Sequence, residues 1–155
     1  MPQSHDTGRI ELTDWAATES AIRAIREAVF IHEQRVPVEL EWDGLDSFCA
    51  HVLAWNDRGE AIGTARMQQN GTIGRMAVLK DWRRRGVGRA LLQTLLDLAA
   101  RQGLTHVTLS AQTHALGFYE RAGFHVVGET FMDAGIPHRK MMKELLLPQA
   151  NLDRQ

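Results

Sequence analysis

The stretch Thr72–Gly103, TIGRMAVLKDWRRRGVGRALLQTLLDLAARQG, decides how the rest of the chain is read. Thr72–Leu79 is short and mostly apolar and rises from the Asn70-Gly71 turn signal, the pattern of a buried strand. From Val87 the period changes: Val87, Leu91, Leu95 and Leu98 recur at helical spacing, and Arg89, Gln93, Asp97 and Arg101 mark the opposite, polar face. Between strand and helix lies Lys80–Gly88, with three consecutive arginines, Arg83, Arg84 and Arg85, and two glycines, Gly86 and Gly88. Glycines let a backbone approach a ligand without interference from Cβ. The first N–H groups of a helix have no internal partner, and the helix dipole makes that end positive. A strand, a glycine-spaced turn and an arginine-ringed helix start therefore suit an anion such as a pyrophosphate.

Two common nucleotide signatures fail at this turn. A dinucleotide loop needs a third glycine and an acid at the end of the next strand, but Leu91 holds the glycine position and Thr105–Ser110 carries no acid. A P-loop needs Gly-Lys-Ser/Thr, which does not follow. The bland alternative is a tight strand-to-helix turn with solvated arginines.

Outward from this stretch, 155 residues are enough for one domain with a real core, taken as 1–155 with 1–8 frayed and 147–155 a tail. Arg9–Leu12 reads as an edge strand, and Asp14 as the N-cap of a helix from Trp15 to about Gln34 with Ile22, Ile25 and Val29 on its core stripe. Val36–Asp46 reads as a loop or broken helical turn. Phe48–Trp55 and Ala61–Gln69 read as a hairpin. After the long helix come a strand at Thr105–Ser110, a short helix near Ala115–Ala122, a strand at Phe124–Thr130 and a last strand near His138–Leu146. An antiparallel meander followed by strand–helix–strand units implies a mixed α/β domain.

A formal net charge of −1 argues against bulk nucleic-acid or membrane binding, and the single Cys49 against an internal disulfide. With no leader or long apolar run, the expected setting is cytoplasmic. The seven histidines are scattered without ligand spacing, so no metal is expected. Charge is unevenly placed, however. Glu33–Asp46 holds five acids (Glu33, Glu39, Glu41, Asp43, Asp46) against Arg35, whereas Lys80–Arg89 holds five bases against Asp81.

Arg83-Arg84-Arg85-Gly86-Val87-Gly88 matches in full the pattern Gln/Arg-x-x-Gly-x-Gly/Ala, and so resembles the acyl-CoA pyrophosphate loop of the GNAT superfamily of N-acetyltransferases. Gln112–Phe124, QTHALGFYERAGF, resembles a second GNAT signature, with Gln112 where Asn is usual. Val29–Pro37, then Asp43, Asp46, His51 and Gly135–Met141, resemble a small bacterial ElaA-like or YjcF-like branch. The resemblance implies a GNAT fold with splayed central strands. It implies acetyl-CoA as acyl donor, held along Met76, Ala77 and Val78, by Arg83, Arg84, Arg85, Gly86, Val87, Gly88 and Arg89, and by Gln112. It places Tyr119 as the general acid beside the coenzyme sulfur, with a backbone N–H of the central strand, that of Val78, facing the oxyanion. Such families often form homodimers.

Many relatives place a Glu on the central strand as general base, but Thr72–Leu79 has no acid. Glu33, Glu129, His51 and His138 are the candidates, of which His138 or Glu33 is preferred and His51 reads as a core residue. Cys49 matches no nucleophile position, so direct transfer in a ternary complex to a primary amine of a small molecule or peptide is expected. The alternative is a catalytically silent acyl-CoA sensor or partner-binding module on the same fold. The acid-rich Glu33–Asp46 segment points to a cationic acceptor. Trp42, within it, is a packing residue or a pocket wall.

Overall fold

The computed structural model describes residues 7–145; the frayed start and tail expected from the sequence lie almost wholly outside them. The chain runs β1 (Thr7–Thr13), α1 (Trp15–Arg26), α2 (Val38–Glu41), β2 (Ala50–Asn56), β3 (Ala61–Met67), β4 (Thr72–Val78), α3 (Val87–Arg101), β5 (His106–Gln112), α4 (Leu116–Arg121), β6 (His125–Val126), β7 (Phe131–Asp133) and β8 (Ile136–Glu144). β1 to β4 form an antiparallel meander, β4 meets β5 in parallel, and β8 inserts between β5 and β6, giving the sheet order β1-β2-β3-β4-β5-β8-β6 with β7 also paired to β8.

Helices cover both faces. On one, Leu91, Leu92, Leu95 and Leu96 of α3 pack on Val52, Ala54, Ile73 and Val107. On the other, Ile22 and Ile25 of α1, with Val29 just beyond it, pack on Leu53 and Ala77. Successive strand residues face opposite sides, so Val52 and Leu53 enter different cores, which is why β2 is apolar throughout rather than alternating. The stripe expected along α3 is buried at Val87, Leu91 and Leu95, and Asp14 caps α1 by accepting from the Ala17 amide at 2.8 Å.

Three boundaries depart from the sequence reading. The first helix does not run α-helically to Gln34: Glu27–Glu33 winds wider, as a π-helix, and closes with the Gln34 amide donating to the Val29 carbonyl. β-Branched and aromatic residues at Val29, Phe30 and Ile31 are weak α-helix formers and permit this widening. Phe48 lies in a 3₁₀ turn (Asp46–Phe48) ahead of β2 rather than within the strand. The strand read at Phe124–Thr130 shortens to β6, ending before the Gly128 carbonyl, which accepts from the Arg139 guanidinium at 3.0 Å; the next strand, β7, starts beyond the range read.

Candidate active site

β4 and β5 pair only at Thr72↔Thr108 and Ile73↔Leu109. Beyond them β4 bends away, because Arg75 sits at φ 49° and the β3–β4 register slips opposite it, between the Thr64↔Ala77 and Arg66↔Gly74 pairs. A left-handed arginine is a strained, bulge-forming residue, here one that splays two neighbouring strands. The split opens a cavity of about 370 Å³ walled by β4, the ends of β5 and β8, α4, the Phe30–Glu41 segment and the β7–β8 turn. Leu79 donates its amide back to Ile62 of β3. Strand alternation then turns the backbone groups of Met76 and Val78 the other way, toward the gap, and those of Ala77 toward β3. The side chains of Met76 and Val78 pack on the α3 core and that of Ala77 on the α1 core.

The turn after β4 forms the second wall. Its helix begins with Gly86, which has φ 85° and supplies no side-chain cap, and the first helical bond is from the Ala90 amide to the Gly86 carbonyl at 3.1 Å. The amides of Val87, Gly88 and Arg89 precede that bond and have no helical acceptor. Arg84 at φ 65° and Gly86 at φ 85° are left-handed on either side of Arg85, just ahead of these amides, the backbone pattern of an N–H nest that suits phosphate oxygens. A Cβ at Gly88 would lie 3.4 Å from the Phe118 ring, so the helix start seats closely on α4. The arginines do not act alike. Arg83 donates from Nε to the Val78 carbonyl at 2.8 Å and forks onto both carboxylate oxygens of Glu33, at 2.9 and 2.6 Å. Arg85 lies over the Trp82 ring at 4.8 Å. Gln112 donates to the Gln34 side chain at 2.9 Å across the cavity and bonds His114 at 2.7 Å. Its amide nitrogen and oxygen each make one hydrogen bond within the protein.

Tyr119 and His138 line the cavity together. Tyr119 is held edge-on by Phe118 and Phe124, and its hydroxyl points at Met76 of β4, 3.8 Å from Sδ. Burial pushes its pKa up to about 12, so the phenol keeps its proton. His138 pairs with Gln112 where β5 and β8 reach the cavity. Its Nδ1 lies 2.7 Å from the Ile136 carbonyl, and Phe131 stacks on its ring. A carbonyl only accepts, so Nδ1 carries the proton and the neutral ring keeps its lone pair on Nε2.

Of the other base candidates, Glu33 is tied to Arg83, whose hydrogen bond lowers its pKa against a smaller effect of burial, and it lies outside the cavity lining. A carboxylate held in that fork is a poor proton acceptor, and this corrects the preference that paired it with His138. Glu129 is exposed outside the cavity. His51 is fully buried, with Nε2 2.8 Å from the Asp46 carbonyl, and burial lowers its pKa.

The acidic segment is not an open negative wall. Arg26 donates to Glu41 at 2.7 Å and Asp46 at 2.6 Å; Arg66 binds Asp46 at 2.8 Å and also Asp43; Arg75 reaches Asp43 at 3.2 Å. Burial would raise the Asp43 pKa, yet the Arg66 hydrogen bond, the Leu45 amide and the charges of Arg66 and Arg75 bring it down to about 2. Burial of Glu41 prevails over its arginine neighbours and holds its carboxyl above the ordinary value. With Glu33 held by Arg83, only Glu39 of the five acids makes no ion pair among the described residues. The charge argument for a cationic acceptor is corrected accordingly. Trp42 lies between Arg23 and Arg26, with their guanidinium carbons 4.5 and 4.7 Å from its ring, as a packing residue and not a pocket wall. Sequence reading passed over Arg66, Arg75, Gln34 and Gln68 in the cavity wall, and no local pattern marks them.

Among the described residues no helix is long and apolar enough to cross a membrane, and no group of three or more His, Cys, Asp or Glu side chains is placed to hold a metal ion. The family model for the acetyltransferase (GNAT) domain matches residues 16–145. The uncharacterized N-acetyltransferase YjcF of Bacillus subtilis is 40% identical over 124 residues, 77% of this chain and 88% of that one. The crystal structure of ElaA from Escherichia coli superposes with a TM-score of 0.79 at 28% identity, covering 88% of this chain and 99% of that one. An acyl-CoA N-acyltransferase from Pseudomonas aeruginosa gives a TM-score of 0.77 at 32% identity, over 87% of this chain and 98% of that one. The splayed strands, the amide nest after β4 and the family match agree: this chain belongs to the GNAT acetyltransferase family.

Proposed function

We propose that the chain transfers an acetyl group from acetyl-CoA, as a substrate, to a primary amine of a small molecule or peptide, directly within a ternary complex. The observation that carries this reading is the β4–β5 split, beside a cavity lined by Met76, Tyr119 and His138. The open edge of β4 suits the amide groups of pantetheine as an added strand would, and the nest from Arg84 to Arg89 suits the pyrophosphate.

The reaction needs a neutral amine, a polarised carbonyl and a stabilised leaving sulfur. His138 Nε2 takes a proton from the ammonium or from the attacking nitrogen, directly or through one water. The Val78 amide donates to the carbonyl oxygen as charge develops on it. The new N–C bond forms, the C–S bond breaks, and the Tyr119 hydroxyl donates a hydrogen bond to the departing sulfur. A thiol has a pKa of about 8.5, well below that of Tyr119, so the thiolate takes its final proton from solvent and His138 returns its own there. Cys49 lies outside this cavity and takes no part. A reducing, cytoplasmic setting goes with this reading.

The test is CoA release from acetyl-CoA with a mixed amine panel, for the wild type and His138→Gln. The wild type turns over, and the variant loses about 10²-fold or more in kcat with its acetyl-CoA affinity retained. Tight acetyl-CoA binding without amine-dependent release in the wild type identifies a sensor instead.

A further inference from the structure

Three arginines, Arg26, Arg66 and Arg75, face three acids, Glu41, Asp43 and Asp46, beside the cavity, and they are not equivalent. Arg26 is 1% exposed and donates from Nε, Nη1 and Nη2 alike. Arg66 is 4% exposed and grips Asp43 and Asp46 with both terminal nitrogens. Arg75 is 26% exposed, lines the cavity, and makes all its hydrogen bonds from Nη2, to the Leu40 and Glu41 carbonyls and Asp43. Its Nε is buried without a hydrogen bond; the Glu41 carboxylate, 3.4 Å away, is out of line for one and is already taken by Arg26. Arg75 Nη1 makes no hydrogen bond among the described residues and, unlike Nε, is not buried, which leaves one donor at the cavity wall open to an outside acceptor.

We propose that the amine acceptor carries a carboxylate, and that Arg75 receives it. This rests on the transferase reading above. A guanidinium with Nη1 open matches a carboxylate oxygen in charge better than any neutral group does. The chemistry of the nucleophile points the same way. An acidic wall would hold an amine in its unreactive ammonium form, and here three arginines offset the three acids. Arg75 lines the same cavity as Met76 and Tyr119, whose sulfur and hydroxyl lie 3.8 Å apart. Across the cavity, Asp133 stands exposed on the hairpin that carries His138, on the side left for the amine. The acceptor class is an amino acid or another small amine with a nearby carboxylate, and polyamines are disfavoured.

The experiment compares kcat/KM by CoA release at saturating acetyl-CoA for leucine against leucinamide, glycine against glycinamide, and putrescine. It is run on the wild type, Arg75→Gln and Arg75→Lys, with acetyl-CoA affinity by calorimetry and melting temperature recorded for each. A charge-assisted contact of about 1.5–3 kcal/mol gives the carboxylate member of a pair an advantage of roughly tenfold or more. Arg75→Gln brings that ratio near one, and Arg75→Lys restores part of it. Amides or putrescine matching the carboxylates in the wild type overturn the proposal and leave the transferase reading intact. A ratio unchanged in a folded Arg75→Gln does the same. Absence of both acetyl-CoA binding and turnover overturns both. Should Arg75→Gln not fold, competition decides: N-acetyl-leucine inhibits the wild type against the amine, and N-acetyl-leucinamide does so at least tenfold more weakly. Equal inhibition by the two overturns the proposal.

Discussion

Replacing Tyr119 by Phe keeps the ring against Phe118 and Phe124 and removes only the hydroxyl beside Met76. The size of the effect follows from the pKa of about 12 that burial gives this phenol. Full proton transfer from it to a thiolate whose acid has a pKa near 8.5 is uphill by about 3.5 units, or ~5 kcal/mol. Tyr119 therefore acts on the leaving sulfur as a hydrogen-bond donor and not as a source of a fully transferred proton. A hydrogen bond to a charged group contributes about 1.5–3 kcal/mol, so the acetyl-transfer step slows by roughly 10- to 150-fold. The measurement is single-turnover acetyl transfer by rapid quench, which isolates chemistry from product release, with acetyl-CoA affinity by calorimetry alongside. Because the phenol stays protonated below about pH 11, the wild-type rate shows no alkaline fall from its ionisation. A single-turnover rate in Tyr119→Phe equal to the wild type refutes the assignment and makes Tyr119 a packing residue.

Gly86→Glu places a side chain at φ 85° and a negative charge at the nest, so acetyl-CoA binding by calorimetry is lost while the circular dichroism of the fold is kept; an unchanged affinity removes the loop from the coenzyme site. Asp46→Ala leaves Arg26 and Arg66 short of a shared, buried carboxylate, and urea titration shows a loss of about 3–5 kcal/mol. Acid unfolding has a defined window as well. Asp43 is held at about 2 and Asp46 below its ordinary value, so their ion-pair stabilisation is fully present above the usual carboxylate pKa near 3.8. It is lost as pH falls from there toward 2, and the stability gap between wild type and Asp43→Asn closes over that interval.

What was legible in the sequence was local. Gly86, Gly88 and the α3 stripe lie within one continuous run, and the change of period from strand to helix can be seen without knowing any distant partner. The same holds for Tyr119, whose neighbours Phe118 and Phe124 are within five residues. The arginine–acid cluster beside the cavity is built from distant pairs. The acids at Glu41, Asp43 and Asp46 are met by Arg26 from α1, Arg66 from β3 and Arg75 from β4, at sequence separations of 15 to 34. Counting charge along the segment sees only the acids, because the arginines arrive through the tertiary fold. Glu33 misled in the same way, its partner Arg83 lying 50 residues on. The positive φ of Arg75 left no mark either, since glycine is the only residue whose presence advertises that conformation.

The arginine–carboxylate network has a purpose beyond holding charge. A left-handed, non-glycine residue in a central strand costs on the order of 1–3 kcal/mol and persists only where its surroundings fix it. Here the fixing atoms are the Leu40 and Glu41 carbonyls at the end of α2 and the Asp43 carboxylate, all received by Arg75 Nη2. The Glu41 carbonyl and the Asp43 carboxylate are themselves held by Arg26 and Arg66, which are anchored on Asp46. The bulge that separates β4 from β5 and the segment beside it at the cavity wall are thus tied into one unit. Loosening Asp46 reaches the site through Arg66, Asp43 and Arg75 in turn, although Asp46 itself does not line the cavity. The same interactions that stabilise the domain set the width of the gap into which the acyl donor must fit.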